Sequence, residues 1–373
     1  MPAGHFELDV LIIVSSDPRY DTRSTKFLKT LTEAGHRAMV VGVCSDGKKD
    51  DTTAIVRAPV NAKSGKRFFK EFYQGVVPHA LKATAKVVIA GDLFSLPPAI
   101  LNKVRHNRKS SQVRLIYDSK ELYDELPSLK RKRSSFIFWD LLERSSIRYV
   151  DSAFTVNDSI AEILGRRWTI PFTVVRNVPE KTDSRPGPRS FEKITLAFSG
   201  GLQLGRGLHS LIRLLTLLPD KYELKIIGDG LLRGELEELA SSLNVTHRVR
   251  FTGRVKSEKV VEELSKAHIG IYLMENSGLC HYLALPNKFF QFISARLPVI
   301  VPTFPEMEKI VNRYGIGAAV DPSDLKRTAE LVMEFTGDPG MYSKLLDNCE
   351  RAALELNWDV EKRRFLDAVE RLI

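Results

Sequence analysis

Two cations, Arg206 and Lys288, and three glycine turns, Gly200-Gly201, Gly228-Asp229-Gly230 and Gly253-Arg254, are the residues whose types and spacing can do chemistry together. Each turn follows an apolar run ("ITLAFS", "YELKII", "RVRFT"), and glycine there lets main chain approach a ligand closely. Arg206 and Lys288 can hold a diphosphate by charge-assisted hydrogen bonds. Lys288 lies in Leu283–Pro302, "LALPNKFFQFISARLPVIVP", which reads as a loop, a short helix with Pro286 at its first turn, and a buried strand. In the helix Phe289, Phe290, Phe292 and Ile293 share one side, while Asn287, Lys288 and Gln291 fall on another. A helix N-terminus carrying a lysine and two amides suits an anion, because its free N–H groups and dipole favour negative charge. The same pattern also describes a surface helix with a solvated polar stripe.

The elements that must position these residues repeat as strand and helix. "LDVLIIVSS" is rich in β-branched residues, as in a strand buried on both faces. A helix with Phe27, Leu28 and Leu31 at helical spacing follows, closed by Gly35, and then a second strand. This βαβ unit implies a parallel sheet. The loop "SSDPRYDTR" after the first strand has no glycine, so the dinucleotide fingerprint is absent and a simple dehydrogenase is disfavoured. "KVVIAGD" and "VRLIYDS" are further strands, and Asp92, Asp118, Lys120 and Glu121 at their ends read either as converging on one cleft or, each singly, as ordinary solvated loop residues. The stretch Val178–Lys193, with three prolines and many charges, reads as a linker. After it the rhythm resumes with "YELKIIGDG", "RVRFTGRV" and "IGIYLM". The fold expected is α/β, with two Rossmann-like doubly wound domains facing across a cleft. The expected domains are residues 1–182 and 190–355, with residues 356–373 as a helix packing back on the first.

The length suits two domains, and 43% hydrophobic residues suit a globular chain. No run approaches a membrane span, and the start lacks signal-peptide features, so a cytoplasmic location is expected. Cys44, Cys280 and Cys349 are far apart with no metal spacing. The net charge of +10 is uneven: residues 1–190 hold 32 Lys and Arg against 21 Asp and Glu, leaving 24 against 25 for the remainder. A basic first half can serve nucleic acid, an anionic membrane or an acidic substrate. No nucleic-acid module accompanies it, so nucleic acid is not expected as a partner. In Ser64–Lys86, Phe68, Phe69, Phe72 and Tyr73 alternate with Lys63, Lys66, Arg67 and Lys70. That stretch reads either as a segment lying on anionic lipid or as core aromatics with solvated lysines. A second basic cluster, Lys130 to Arg133, precedes the amphipathic "FIFWDLLERSSIRYVDSAFTV".

Taken in order, "DPRYDTRSTKFLKTLTEAGH", "YDSKELYDELP", "VDSAFTVNDSIAEIL", "VVRNVP", "FSGGLQLGRGL", "IIGDG", "VRFTGRV", "LPNKFFQFISARLPVIVP" and "FPEMEKIVNRYGIGAAVDP" carry a resemblance over nearly the whole chain. The sequence resembles the retaining, nucleotide-sugar-dependent glycosyltransferases of family 4, which have the GT-B fold. The resemblance implies that Gly200, Gly201 and Arg206 match the diphosphate-binding loop, and Gly228 and Gly230 the second glycine turn. It places Arg254 and Val255 at the base, Gln291 at the ribose, and Leu285 to Lys288, with Asn287 between, at phosphate and sugar. Asp118, Lys120 and Glu121 match an Asp-x-His-Glu segment. Departures are Gln291 for a glutamate, Leu283 for an earlier glutamate, Lys120 for the histidine, Arg296 for a glycine and Gly201 for an arginine.

The activity so implied is transfer of a sugar, with retention, from a nucleotide-sugar donor to a glycan or lipid-linked acceptor, in cell-surface polysaccharide or glycolipid synthesis. Arg206, Lys288 and Lys120 are the catalytic candidates. No metal or cofactor beyond the donor is expected, and an anionic membrane surface at the inner face of the plasma membrane is the further partner. A nucleotide-sugar epimerase of the same fold and a degenerate donor-binding subunit are the alternatives.

Overall fold

The structure is a computed structural model that describes residues 6–45, 52, 54–62, 64–107, 112–126, 133–182 and 190–373. These divide into two compact units, Met1–Arg176 with Lys362–Ile373, and Asn177–Glu361. Of the linker at 178–193, residues 183–189 lie outside the described residues, as do Lys63 and residues 130–132 of the basic clusters.

The first unit holds seven parallel strands: β1 (Phe6–Ile13), β2 (Ala38–Cys44), β3 (Ile55–Pro59), β4 (Ala83–Ala90), β5 (Arg114–Asp118), β6 (Ser152–Thr155) and β7 (Phe172–Val174). Their order is β3-β2-β1-β4-β5-β6-β7, so the sheet reverses direction of growth between β1 and β4. The second unit repeats the plan with β8 (Ile194–Ser199), β9 (Tyr222–Ile227), β10 (Val249–Gly253), β11 (Ile269–Ile271), β12 (Val299–Pro302) and β13 (Gly317–Val320), ordered β10-β9-β8-β11-β12-β13. Both are doubly wound Rossmann-like sheets whose ligand edge is the switch point, β1/β4 in one and β8/β11 in the other.

Local chemistry explains the elements. Val10 to Val14 are fully buried, as a strand covered on both faces requires. Helix Thr22–Glu33 is capped by the Asp21 carboxylate, and Gly35 takes φ +87° beyond its end. Phe27 stacks on Phe365 at 4.0 Å between ring centroids, with Phe154 edge-on to Phe27 at 6.2 Å, which anchors Lys362–Ile373 in the first unit.

The stretch Ser64–Lys86 resolves in favour of core. In helix Gly65–Lys82, Phe72 is fully buried, and Phe68, Phe69 and Tyr73 pack against the core with Phe94 and Trp139. Lys66, Arg67 and Lys70 face solvent, while Phe68, Phe69 and Tyr73 are half-buried against the core. A group of apolar side chains reaches solvent on helix Arg133–Ser146, where Ile137, Phe138 and Leu141 are 45%, 56% and 58% exposed. No described helix is long and apolar enough to cross a membrane.

Asp92 and Asp118 lie at the ends of adjacent strands and both act on the buried Tyr123 phenol, and each is engaged by a group of its own domain. Asp92 accepts from the Ser15 amide at 2.9 Å and hydroxyl at 2.8 Å and caps the turn Leu93–Ser95. Asp118 is consumed by a buried ion pair with Arg23. Both carboxylates close the ligand edge of the first sheet from within.

Candidate nucleotide-diphosphate site

The site in the second unit is assembled at the β8/β11 switch point. β8 leads into Gly200, whose amide donates to Ile227 O at 2.8 Å. Gly228, at φ +145°, brings its Cα so close that an added Cβ would lie 1.9 Å from Gly200 O. Gly230 is equally tight: a Cβ there would meet Leu202 O at 2.4 Å, and the Leu202 amide donates to Asp229 O at 3.1 Å. The first two turns therefore form one interlocked pair. Gly228 also bonds to Gly253 at the end of β10, its amide donating to Gly253 O at 3.0 Å.

Arg206 rides on the loop after β8. Gly207, at φ +72°, passes against Leu273 O, and the Glu275 amide donates to Gly205 O at 3.0 Å. The segment after β11 thus grips the loop on both sides of the arginine. Its guanidinium donates Nη1 to Tyr272 OH at 2.8 Å and approaches Met274 Sδ at 3.7 Å.

Lys288 enters from helix Asn287–Ser294, whose Phe289, Phe290, Phe292 and Ile293 are all buried. Pro286 precedes that helix with φ −72°, and no side chain caps its first amides. The ammonium lies against the bare backbone of Gly200, where a Cβ would meet Lys288 Cε at 2.4 Å, and 5.9 Å from the Tyr272 ring centroid. Gln291, one turn on, accepts from Ser199 Oγ at 3.1 Å. Asn287 and Gly201 are exposed, Leu285 and Leu283 are buried, and at the end of β10 Arg254 is exposed and Val255 half-buried.

The electrostatics are those of an uncompensated cationic site. Neither Arg206 nor Lys288 has a carboxylate partner among the described residues. Burial first, and the Arg206 charge second, push the Lys288 ammonium down to about 8. His281 is held below the usual imidazole value by the same two causes, its Nδ1 sharing a hydrogen bond with Ser277 Oγ. Burial raises the Tyr272 phenol, which Arg206 partly opposes. An anion placed here would relieve the repulsion and meet the free helix amides. Among the described residues no group of three His, Cys, Asp or Glu side chains is placed to hold a metal.

Lys120 belongs to the first unit, where its ammonium approaches Asp21 Oδ2 at 3.4 Å. It is therefore tied to the cap of helix Thr22–Glu33. Sequence reasoning overlooked Tyr272, Met274 and Ser199. Their signal was position alone, at the carboxyl ends of β8 and β11 on either side of the switch point.

Known proteins resemble this chain in its second half and in its fold. Residues 180–355 match the family model described as glycosyl transferases group 1. An uncharacterized glycosyltransferase of Methanocaldococcus jannaschii is 25% identical over 178 residues, which is 46% of this chain and 43% of that protein, so the match spans less than half of the relative's length. Sucrose-phosphate synthase from Thermosynechococcus elongatus superposes with a TM-score of 0.77 at 15% identity, covering 98% of this chain and 99% of that one. Anabaena HepE in complex with UDP-glucose superposes with a TM-score of 0.72 at 12% identity, covering 98% and 100%. The chain thus has the two-domain α/β fold of these GT-B structures, and its residues 180–355 are similar to the glycosyl transferases group 1 family.

Proposed function

We propose that the chain transfers a sugar, with retention of anomeric configuration, from a nucleotide-sugar donor to a glycan or lipid-linked acceptor in cell-surface polysaccharide or glycolipid synthesis. One observation carries this reading: Arg206 and Lys288 have no carboxylate partner among the described residues, and Lys288 stands in the first turn of a helix with no side-chain cap, beside the bare backbone of Gly200. In transfer the bond between the anomeric carbon and the diphosphate oxygen breaks, an acceptor hydroxyl oxygen bonds to that carbon and gives its proton to the departing diphosphate, and negative charge grows on the diphosphate as the bond breaks. Donors already aimed at the departing oxygens stabilise it, each such contact being worth about 10²–10³ in rate. Gln291 faces the ribose hydroxyls with a neutral acceptor, and Lys120 serves the acceptor side.

UDP is the first probe, since UDP-glucose is the ligand of HepE. Calorimetry of the full chain with UDP and UDP-glucose is expected to show binding that weakens about tenfold or more in Arg206→Ala. Equal affinity in the variant would remove the diphosphate site. Product analysis with a labelled donor then separates transfer from epimerisation, which would proceed without acceptor.

Leu283, buried where a polar sugar contact is expected, favours a second reading in which the donor binds and is not transferred. Donor binding with neither hydrolysis nor transfer to any acceptor would establish it.

The membrane part of the reading rests on helix Arg133–Ser146. Its exposed arc carries Ile137, Phe138 and Leu141 between Arg133 and Arg144, while its two carboxylates are engaged, Asp140 by Arg144 and Glu143 by Tyr117. Apolar side chains rimmed by arginine suit an anionic bilayer surface. Sedimentation with anionic vesicles at low salt should be lost when the three apolar residues become serine. Retention by the triple variant would reject this helix as the contact.

A further inference from the structure

We infer that Tyr272 is a positioning residue for the diphosphate, holding both cations of the site in the geometry they need before ligand arrives. The inference rests on the donor-binding reading above and concerns how that site is built. Arg206 and Lys288 repel each other, which is part of what lowers the Lys288 ammonium. Left to themselves, two long cationic side chains on a loop and a helix would splay apart. Tyr272 touches both: its hydroxyl accepts from Arg206 Nη1 at 2.8 Å, and its ring centroid lies 5.9 Å from Lys288 Nζ.

The tyrosine can do this because packing and a backbone hydrogen bond hold it in place. It is completely buried, its amide donates to Ile300 O of β12 at 3.0 Å, and its ring lies 5.9 Å from that of Phe198 in β8. Met274 Sδ lies 3.1 Å from the hydroxyl and accepts its hydrogen. With the hydrogen directed at sulfur, the oxygen lone pairs remain for the guanidinium. A neutral acceptor suits the task. A carboxylate in that place would neutralise Arg206 and compete with the phosphate, whereas a phenol orients the guanidinium and leaves its charge for the ligand.

Tyr272→Phe removes one oxygen and keeps the ring beneath Lys288. In the full chain it is expected to weaken UDP about tenfold while leaving uridine, which lacks the phosphates, unchanged within about twofold. In an Arg206→Ala background the same substitution should have no further effect, because its influence passes through Arg206. A merely structural tyrosine would change UDP and uridine alike and add its effect in the double variant; either result overturns the inference. Should Tyr272→Phe fail to fold, Met274→Leu frees the hydroxyl without touching the ring. A loss of about twofold to threefold for UDP alone is expected there, and equal effects on UDP and uridine, or none, would overturn it. If the unaltered protein binds none of UDP, ADP and GDP, the donor-binding reading fails first. If it binds one of them and Tyr272→Phe binds as well, only the role of Tyr272 fails.

Discussion

Arg23 and Asp118 form a bidentate ion pair, Nε to Oδ2 at 2.7 Å and Nη2 to Oδ1 at 2.8 Å, with both side chains buried. The third guanidinium nitrogen donates to Val175 O at 2.7 Å, so one arginine ties helix Thr22–Glu33, β5 and the end of β7 together. Removing one partner leaves an uncompensated buried charge. Asp118→Asn should therefore destabilise the first domain by about 3–5 kcal/mol. Urea unfolding measures it, and a loss below about 1 kcal/mol would show that Asp118 is not structural.

Lys288 sets a pH dependence on donor binding. An anion binds the ammonium and not the amine, so affinity is full below about 8, where Lys288 is charged, and falls as pH rises above it. The decline for UDP between pH 8 and 9.5 should approach tenfold per unit, until it meets the higher value the lysine takes in the complex. Lys288→Ala should bind more weakly and without that decline. A titration series by calorimetry decides, and an unchanged slope in the variant assigns the titration elsewhere.

Glu143 gives stability a pH dependence of its own. Its carboxyl is pushed up to about 7, first by burial, against the hydrogen bond donated by Tyr117 OH at 2.8 Å. The value is raised above that of the unfolded chain, so its contribution is complete below about 4.5 and lost as pH climbs through 7. The loss amounts to about 3 kcal/mol at most. Glu143→Gln should flatten the dependence of the first domain's unfolding free energy between pH 5 and 8.

Two glycines predict opposite outcomes for one substitution. Gly228→Ala sets a Cβ 1.9 Å from Gly200 O at φ +145°, and should cost the second domain at least about 3 kcal/mol together with UDP binding. Gly234, within helix Arg233–Ser242, has nothing within 4 Å of its added Cβ. Gly234→Ala should be neutral or stabilising by about 0.5 kcal/mol. Thermal unfolding of the two variants side by side checks both.

The glycine turns could be read because only glycine tolerates the close approaches seen at Gly228 and Gly230. Arg296, standing where the resembled family has glycine, keeps the backbone demand: its φ is +55°. What it adds is invisible in one dimension. Its buried guanidinium donates to Ser294 O at 2.8 Å and Thr182 O at 3.1 Å and pairs with Glu350, offsetting the strain. Ser64–Lys86 stayed ambiguous because helical spacing alone cannot say which arc a sheet will cover. Tyr272 was missed because an aromatic in a buried strand looks like core, and its hydroxyl matters only beside Arg206, 66 residues away in sequence.

The stacking of Phe27 on Phe365 has a consequence for the order of events during synthesis. The first unit is interrupted in sequence, since its last part, Lys362–Ile373, follows the whole of the second. A nascent chain therefore carries all of Asn177–Glu361 before it carries Phe365. The unit translated first must wait, with Phe27 uncovered, until the unit translated second has emerged.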